Sequence, residues 1–164
     1  MILDKIKIYS QNFWKNNFLI NTILKTHSLF DISLFDIIFI QELSWSIIQS
    51  ILSSSSCKGE ELVEVSNHLN WTVFSRNNSW ADDFPHVISY INIHLSFIHF
   101  SLQNDILNHK DILYILFFNC SSIYFLINVY SNSSQSALKY LKDTEVNINN
   151  ILIITGDFNI RDCL

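Results

Sequence analysis

Ile151-Leu152-Ile153-Ile154-Thr155-Gly156-Asp157-Phe158-Asn159 is the stretch whose reading decides the fold. Four apolar residues, three of them β-branched, suit a strand buried in a sheet. Gly156 closes the strand, and Asp157 and Asn159 follow it directly. Taken alone, Gly-Asp-Phe-Asn is compatible with an ordinary turn, because Gly, Asp and Asn all favour turns.

The same arrangement recurs three times upstream. Lys5 to Tyr9 alternates Ile6 and Ile8 with Lys5 and Lys7, a strand pattern, and ends at Ser10-Gln11-Asn12. Asp36 to Ile40 is a short apolar strand that ends at Gln41-Glu42. Phe125-Leu126-Ile127 ends at Asn128-Val129-Tyr130. Sites in α/β sheets gather at the C-terminal ends of strands. If these four strands are neighbours, Asn12, Glu42, Tyr130, Asp157 and Asn159 meet on one rim. Each residue also has a plainer reading: Asn12 as a helix cap, Gln41-Glu42 as a solvated turn, Tyr130 as core. The order and placement of all four together favour the rim.

The remaining chain alternates between the two periodicities. Helices are expected over Phe13 to Lys25, over Trp45 to Leu52 with Ser44 as N-cap, over Glu60 to Leu69, and over Ser134 to Val146 with Ala137, Leu138 and Leu141 on one face. Ser53 to Ser56 reads as a loop. Strands are expected at Trp71 to Ser75 and, as one or two, over His86 to Phe100. Ile112 to Val129 contains no charged residue and has the length of a membrane span. Its centre, Asn119-Cys120-Ser121-Ser122, is turn-like, and both flanks are rich in β-branched and aromatic residues, so a hairpin is the better reading. Strands alternating with helices, plus antiparallel pieces, give an α/β architecture with mixed sheets.

Composition narrows the class. The chain has 164 residues, 49% hydrophobic and 14% aromatic, with one proline, which excludes whole-chain disorder and suits a single domain. A net charge of −5 disfavours a purely electrostatic nucleic-acid binder, though not an enzyme that meets phosphate through a bound cation. The three cysteines, Cys57, Cys120 and Cys163, are widely spaced, which fits neither a disulfide framework nor a zinc site. The N-terminus has charges within its apolar run and does not read as a secretory signal. The expectation is an intracellular protein without stable membrane association, nuclear or cytoplasmic. The sequence singles out no protein partner and leaves the oligomeric state open.

The rim residues share a chemistry. Glu42 is a hard oxygen ligand suited to Mg²⁺ or Mn²⁺. Asp157 could orient or deprotonate a water, Asn12 and Asn159 can hydrogen-bond phosphate or position a carboxylate, and Tyr130 can stabilise developing charge. Together these are the means of phosphodiester hydrolysis.

These four strand-end segments resemble the endonuclease/exonuclease/phosphatase superfamily, the DNase I-like fold. Trp71 to Arg76 and Asn104 to Ile112 are similar to fungal members related to the endonuclease domains of non-LTR retrotransposons. The resemblance runs from about Lys5 to Asp162. It implies a four-layer sandwich, two mixed sheets flanked by helices. It implies Glu42 as the metal ligand and Asn12, Tyr130, Asp157 and Asn159 as catalytic residues. It also implies that residues 1–164 are about the N-terminal two thirds of one such domain. The family's further part carries another Asp and a closing Ser-Asp-His segment, whereas this sequence ends at Arg161-Asp162-Cys163-Leu164. None of the six histidines lies in a Ser-Asp-His setting, and His86, His94 and His99 read as surface or edge residues. Weakened catalysis and an open sheet edge are the expected consequences. The alternative reading is a non-catalytic remnant that still binds phosphate or metal.

Overall fold

Nine strands pair into two sheets in the computed structural model, which describes residues 5–14, 35–42, 62–64, 70–75, 86–103, 106–119, 122–146 and 148–158. The first sheet holds β1 (Ile8–Asn12), β2 (Ile37–Gln41), β3 (Leu62–Glu64), β4 (Trp71–Phe74) and β5 (Val87–Asn92), in the spatial order β1-β2-β5-β4-β3. The second holds β6 (Phe100–Leu102), β7 (Ile112–Asn119), β8 (Ser122–Tyr130) and β9 (Ile151–Asp157), in the order β6-β7-β8-β9. Both sheets are mixed: β1–β2 and β8–β9 are parallel, and the other pairs are antiparallel. The expected α/β class with mixed sheets is what the chain adopts.

The pattern of side chains explains why the sheets stack. Ile37 and Phe39 of β2, Val87 and Ile91 of β5, Leu113, Ile115 and Phe117 of β7, and Leu126 of β8 form one buried cluster between the sheets. They recur at every second position, as one face of a strand requires. Each such side chain contributes roughly 1.5–3 kcal/mol by leaving water. β2 and β5 are buried along their whole length, so both of their faces are covered, as the apolar run Ile37-Ile38-Phe39-Ile40 of β2 suggests. On the outer face of the second sheet, Ile112, Tyr114, Ile127 and Val129 pack with Ala137, Tyr140 and Leu141 of α1 (Ser136–Asp143).

The hairpin expected over Ile112 to Val129 is present as β7 and β8, paired from Ile112↔Val129 to Asn119↔Ser122. No helix among the described residues is long and apolar enough to cross a membrane. The region His86 to Phe100 gives two strands in different sheets. Between β5 and β6 the chain makes a short 3-10 turn, Ile93–Leu95, capped by the Asn92 side chain, and so passes from one sheet to the other.

One element differs from expectation. Leu62–Glu64, within the segment expected to be helical, is strand β3 paired antiparallel with β4. The partner decides: Val73 and Phe74 offer an open ladder edge, and tertiary pairing overrides a short, weak helical pattern. The helix expected at the C-terminal side is shorter than Ser134 to Val146, and its buried face runs through Ala137, Tyr140 and Leu141. Apart from Phe13 and Trp14, the helices expected over Phe13 to Lys25 and Trp45 to Leu52 lie outside the described residues, as does the loop at Ser53 to Ser56.

Candidate active site

The two parallel pairs set the site. β1 and β2 run side by side and end together, with Asn12 opposite Gln41. β8 and β9 do the same in the other sheet, with Tyr130 opposite Asp157. β1 and β2 lie against β8 and β9 across the sandwich. Four strand ends from two sheets therefore converge.

Gly156 makes the β8–β9 end possible. Its φ of +155° is a conformation that L side chains rarely adopt, and a Cβ there would overlap the Val129 carbonyl oxygen and lie 2.7 Å from the carbonyl carbon. The close approach brings Asp157 beside Tyr130, and the Asp157 carbonyl accepts the Ser131 N–H at 2.7 Å. Glu42 leaves β2 with φ of +55°, an uncommon conformation for a side-chain-bearing residue and one that recurs at functional sites.

At the centre is the Asn12 amide. Its Oδ1 accepts the backbone N–H of Trp14 at 2.7 Å, which fixes the amide orientation. Its Nδ2 then donates to Glu42 Oε2 at 2.9 Å and to Asp157 Oδ2. One amide nitrogen from β1 thus holds two carboxylates, one at the end of β2 and one from the opposite sheet. The Asn12 oxygen thus serves the local backbone while its nitrogen serves the site.

Tyr130 completes the rim. It is half-buried, and burial first, then the carboxylates of Glu42, Asp157 and Asp111, hold its phenol above the usual tyrosine value. It therefore stays a protonated donor through the neutral range. Of the five residues expected on the rim, Asn12, Glu42, Tyr130 and Asp157 are brought together, and Asn159 lies outside the described residues.

Beneath the rim lies a buried polar clamp that the sequence reading did not single out. Asn128 of β8 is fully buried, accepts from Gln41 Nε2 at 2.6 Å, and donates to the Ile88 carbonyl at 3.0 Å. Gln41 also donates to Ser10 Oγ at 3.1 Å. The clamp joins β1, β2 and β5 to β8 directly behind Glu42. A lone amide inside Leu126-Ile127-Asn128-Val129 was the available signal, since buried polar groups need partners. His86, expected as a surface or edge residue, is half-buried just before β5 and paired with Asp111 beside Tyr130; His94 and His99 are exposed.

A cavity of about 340 Å³, lined in part by Thr72, Phe74, Asn92, Leu95 and Phe97, lies at the other end of β5. It contains none of the rim residues. Among the described residues no group of three or more His, Cys, Asp or Glu side chains could hold a metal ion.

No family model matches the chain, and no curated protein matches it. Two solved structures are similar over 96% of it. One is the endonuclease domain of TRAS1, a telomere-specific non-LTR retrotransposon, with a TM-score of 0.65 at 13% identity; this chain spans 62% of that domain's length. The other is a humanized D. rerio TDP2, with a TM-score of 0.54 at 14% identity and 67% of its length covered. The two mixed sheets and the paired strand ends share the fold of these structures, the DNase I-like fold that the strand-end motifs led one to expect.

Proposed function

We propose that the chain is a divalent-metal-dependent hydrolase of phosphodiester bonds, of endonuclease type, acting on DNA. The observation that carries this reading is the Asn12 amide holding Glu42 and Asp157 together across two sheets, within the field felt by Tyr130. The similarity to a retrotransposon endonuclease domain supports the choice of substrate.

The donor set fits Mg²⁺ or Mn²⁺. These ions are commonly held by one or two carboxylates, with substrate phosphate and water completing the shell, and need no dedicated protein cage. Glu42 would be the protein ligand, and the bound ion would supply Lewis-acid stabilisation of phosphoryl charge.

The chain's own residues do the rest. Asp157, oriented by Asn12, accepts a proton from a water as its oxygen bonds to phosphorus. The bond from phosphorus to the departing sugar oxygen breaks, and that oxygen takes a proton from solvent. The Tyr130 hydroxyl donates to a non-bridging oxygen as charge develops there. Asn12 keeps both carboxylates in place throughout, and Asn159 is proposed as a further phosphate donor.

The test is nicking of supercoiled plasmid by the purified chain with Mg²⁺, with a chelator and Glu42→Ala as controls. Nicking that both controls abolish supports the reading. A folded sample that does not nick overturns it in favour of a phosphate-binding remnant.

A further inference from the structure

Of the side chains that could act at this rim, one pair has no role in the mechanism above. His86 precedes β5, and Asp111 precedes β7. Val87 at the start of β5 pairs with Gln41 at the end of β2, so His86 lies at the rim end of its sheet. The Asp111 carbonyl accepts the Tyr130 N–H at 2.9 Å, so Asp111 lies at the same end of the other sheet. The His86 and Tyr130 rings are 5.2 Å apart between centroids.

The pair has the build of an oriented imidazole. Asp111 is fully buried, and its Oδ1 accepts twice from His86, from Nδ1 at 2.6 Å and from the backbone N–H at 3.2 Å. A carboxylate facing two N–H groups only accepts, so Nδ1 carries a proton. That leaves Nε2 as the ring nitrogen free to meet a ligand, on a side chain 31% exposed. Asp111 Oδ2 is buried and has no hydrogen-bond partner among the described residues. A buried carboxylate whose only side-chain partner among the described residues is one histidine is an expensive way to hold a partly exposed residue. It is the usual way to fix an imidazole that must act on something else.

The rim gives it something to act on. Glu42, Asp157 and Asp111 all raise the Tyr130 phenol, so three carboxylates crowd one end of the sandwich. An anionic phosphodiester entering there needs N–H donors to offset them. A second histidine–carboxylate pair makes the contrast: His94 Nε2 meets Asp36 Oδ1 at 2.9 Å, on a side chain 47% exposed, at the opposite end of the first sheet. Asp36 also accepts the Lys7 backbone N–H at 2.6 Å. That pair ties β1 to β2 and lies away from the rim.

Resting on the hydrolase reading above, we propose that His86, held by Asp111, contacts the scissile phosphate through Nε2.

The experiment uses His86→Asn. Its amide keeps a donor near the Nδ1 position for Asp111 and removes only the Nε2 end of the ring. Thermal melting checks that the fold is kept, and His94→Asn serves as the control. The second readout is the Nε2 nitrogen resonance of His86 in the wild-type chain as a short DNA duplex is added under chelation. The expected result is a fall in plasmid nicking of about 100-fold for His86→Asn, as for loss of one transition-state donor, with His94→Asn unchanged. The His86 resonance shifts on addition of duplex, and that of His94 does not. Should the wild-type chain not nick while the His86 resonance still shifts, the phosphate contact stands and the hydrolase reading fails. Nicking by His86→Asn at the wild-type rate overturns the inference and leaves the hydrolase reading intact. Absence of both nicking and the resonance shift overturns both.

Discussion

Replacing Asn128 with alanine tests whether the two sheets are held in register by the clamp beneath the rim. The side chain makes two short hydrogen bonds, to Gln41 Nε2 at 2.6 Å and to the Ile88 carbonyl at 3.0 Å. Contacts to Ser89 Oγ at 3.3 Å and the Ile40 carbonyl at 3.4 Å are weaker. Each short bond is worth about 1 kcal/mol net in a buried setting. Truncation also leaves a small void and lowers the satisfaction of the buried Gln41 amide, adding about 1 kcal/mol. Gln41 keeps its bond to Ser10, which prevents a full orphan penalty. The total is about 3 kcal/mol, a large share of the roughly 5–15 kcal/mol that holds a typical domain together. For a chain of this length the melting temperature should fall by about 6–12 °C. Circular dichroism melts of the wild type and Asn128→Ala give the answer, with urea unfolding as a second route to the same difference. A fall of less than about 2 °C would refute the claim that this amide joins the sheets.

Three further outcomes follow from the same geometry. Gly156→Ala places a methyl group onto the Val129 carbonyl at a backbone angle that suits glycine, so stability should drop by about 2–5 kcal/mol, and an unchanged urea midpoint would contradict the close β8–β9 approach. Tyr130→Phe keeps the half-buried ring and removes the donor, so nicking should fall about 100-fold with little change in melting temperature; equal rates would remove the hydroxyl from the mechanism. Burial raises the phenols of Tyr90, Tyr114 and Tyr130, so the folded chain keeps protons that the unfolded chain releases from about pH 10. The unfolded state then binds fewer protons, so this contribution is intact below about pH 10 and is lost as pH rises beyond it. Urea midpoints should therefore decline above about pH 10, together with delayed tyrosinate absorbance, and a flat profile would contradict the burial.

The strands were legible because they are local. Ile37 to Ile40 and Ile151 to Ile154 are apolar and largely β-branched, and each is followed at once by polar residues, so a single-sequence reading finds both the element and the rim at its end. The hairpin of β7 and β8 was legible for the same reason, since its polar turn separates two strand-like arms. β3 was not, because Leu62–Glu64 becomes a strand only through its pairing with Trp71–Phe74. Nor could the sequence divide β5 from β6 between two sheets, since that depends on a short capped turn at Asn92.

The site divides in the same way. Asn12, Glu42, Tyr130 and Asp157 were nominated by position, and the structure supplies their meeting. What no local pattern carries is partnership across the fold. Gln41 and Asn128 are 87 residues apart, and His86 and Asp111 are 25 apart, yet each pair is within 2.6 Å. Such contacts are set by sheet stacking, which acts on the whole chain at once.

In the proposed mechanism residues from two sheets act as one unit, and a double-variant cycle measures that coupling. Single-turnover nicking rates are measured for the wild type, Asn12→Ala, Asp157→Asn and the double variant. Because Asn12 of β1 holds Asp157 of β9, each single change should slow nicking by a factor of about 100 or more, and the double variant should be no slower than the slower single. Losses that multiply fully, or a single variant with the wild-type rate, would contradict a shared site at the meeting of the two sheets.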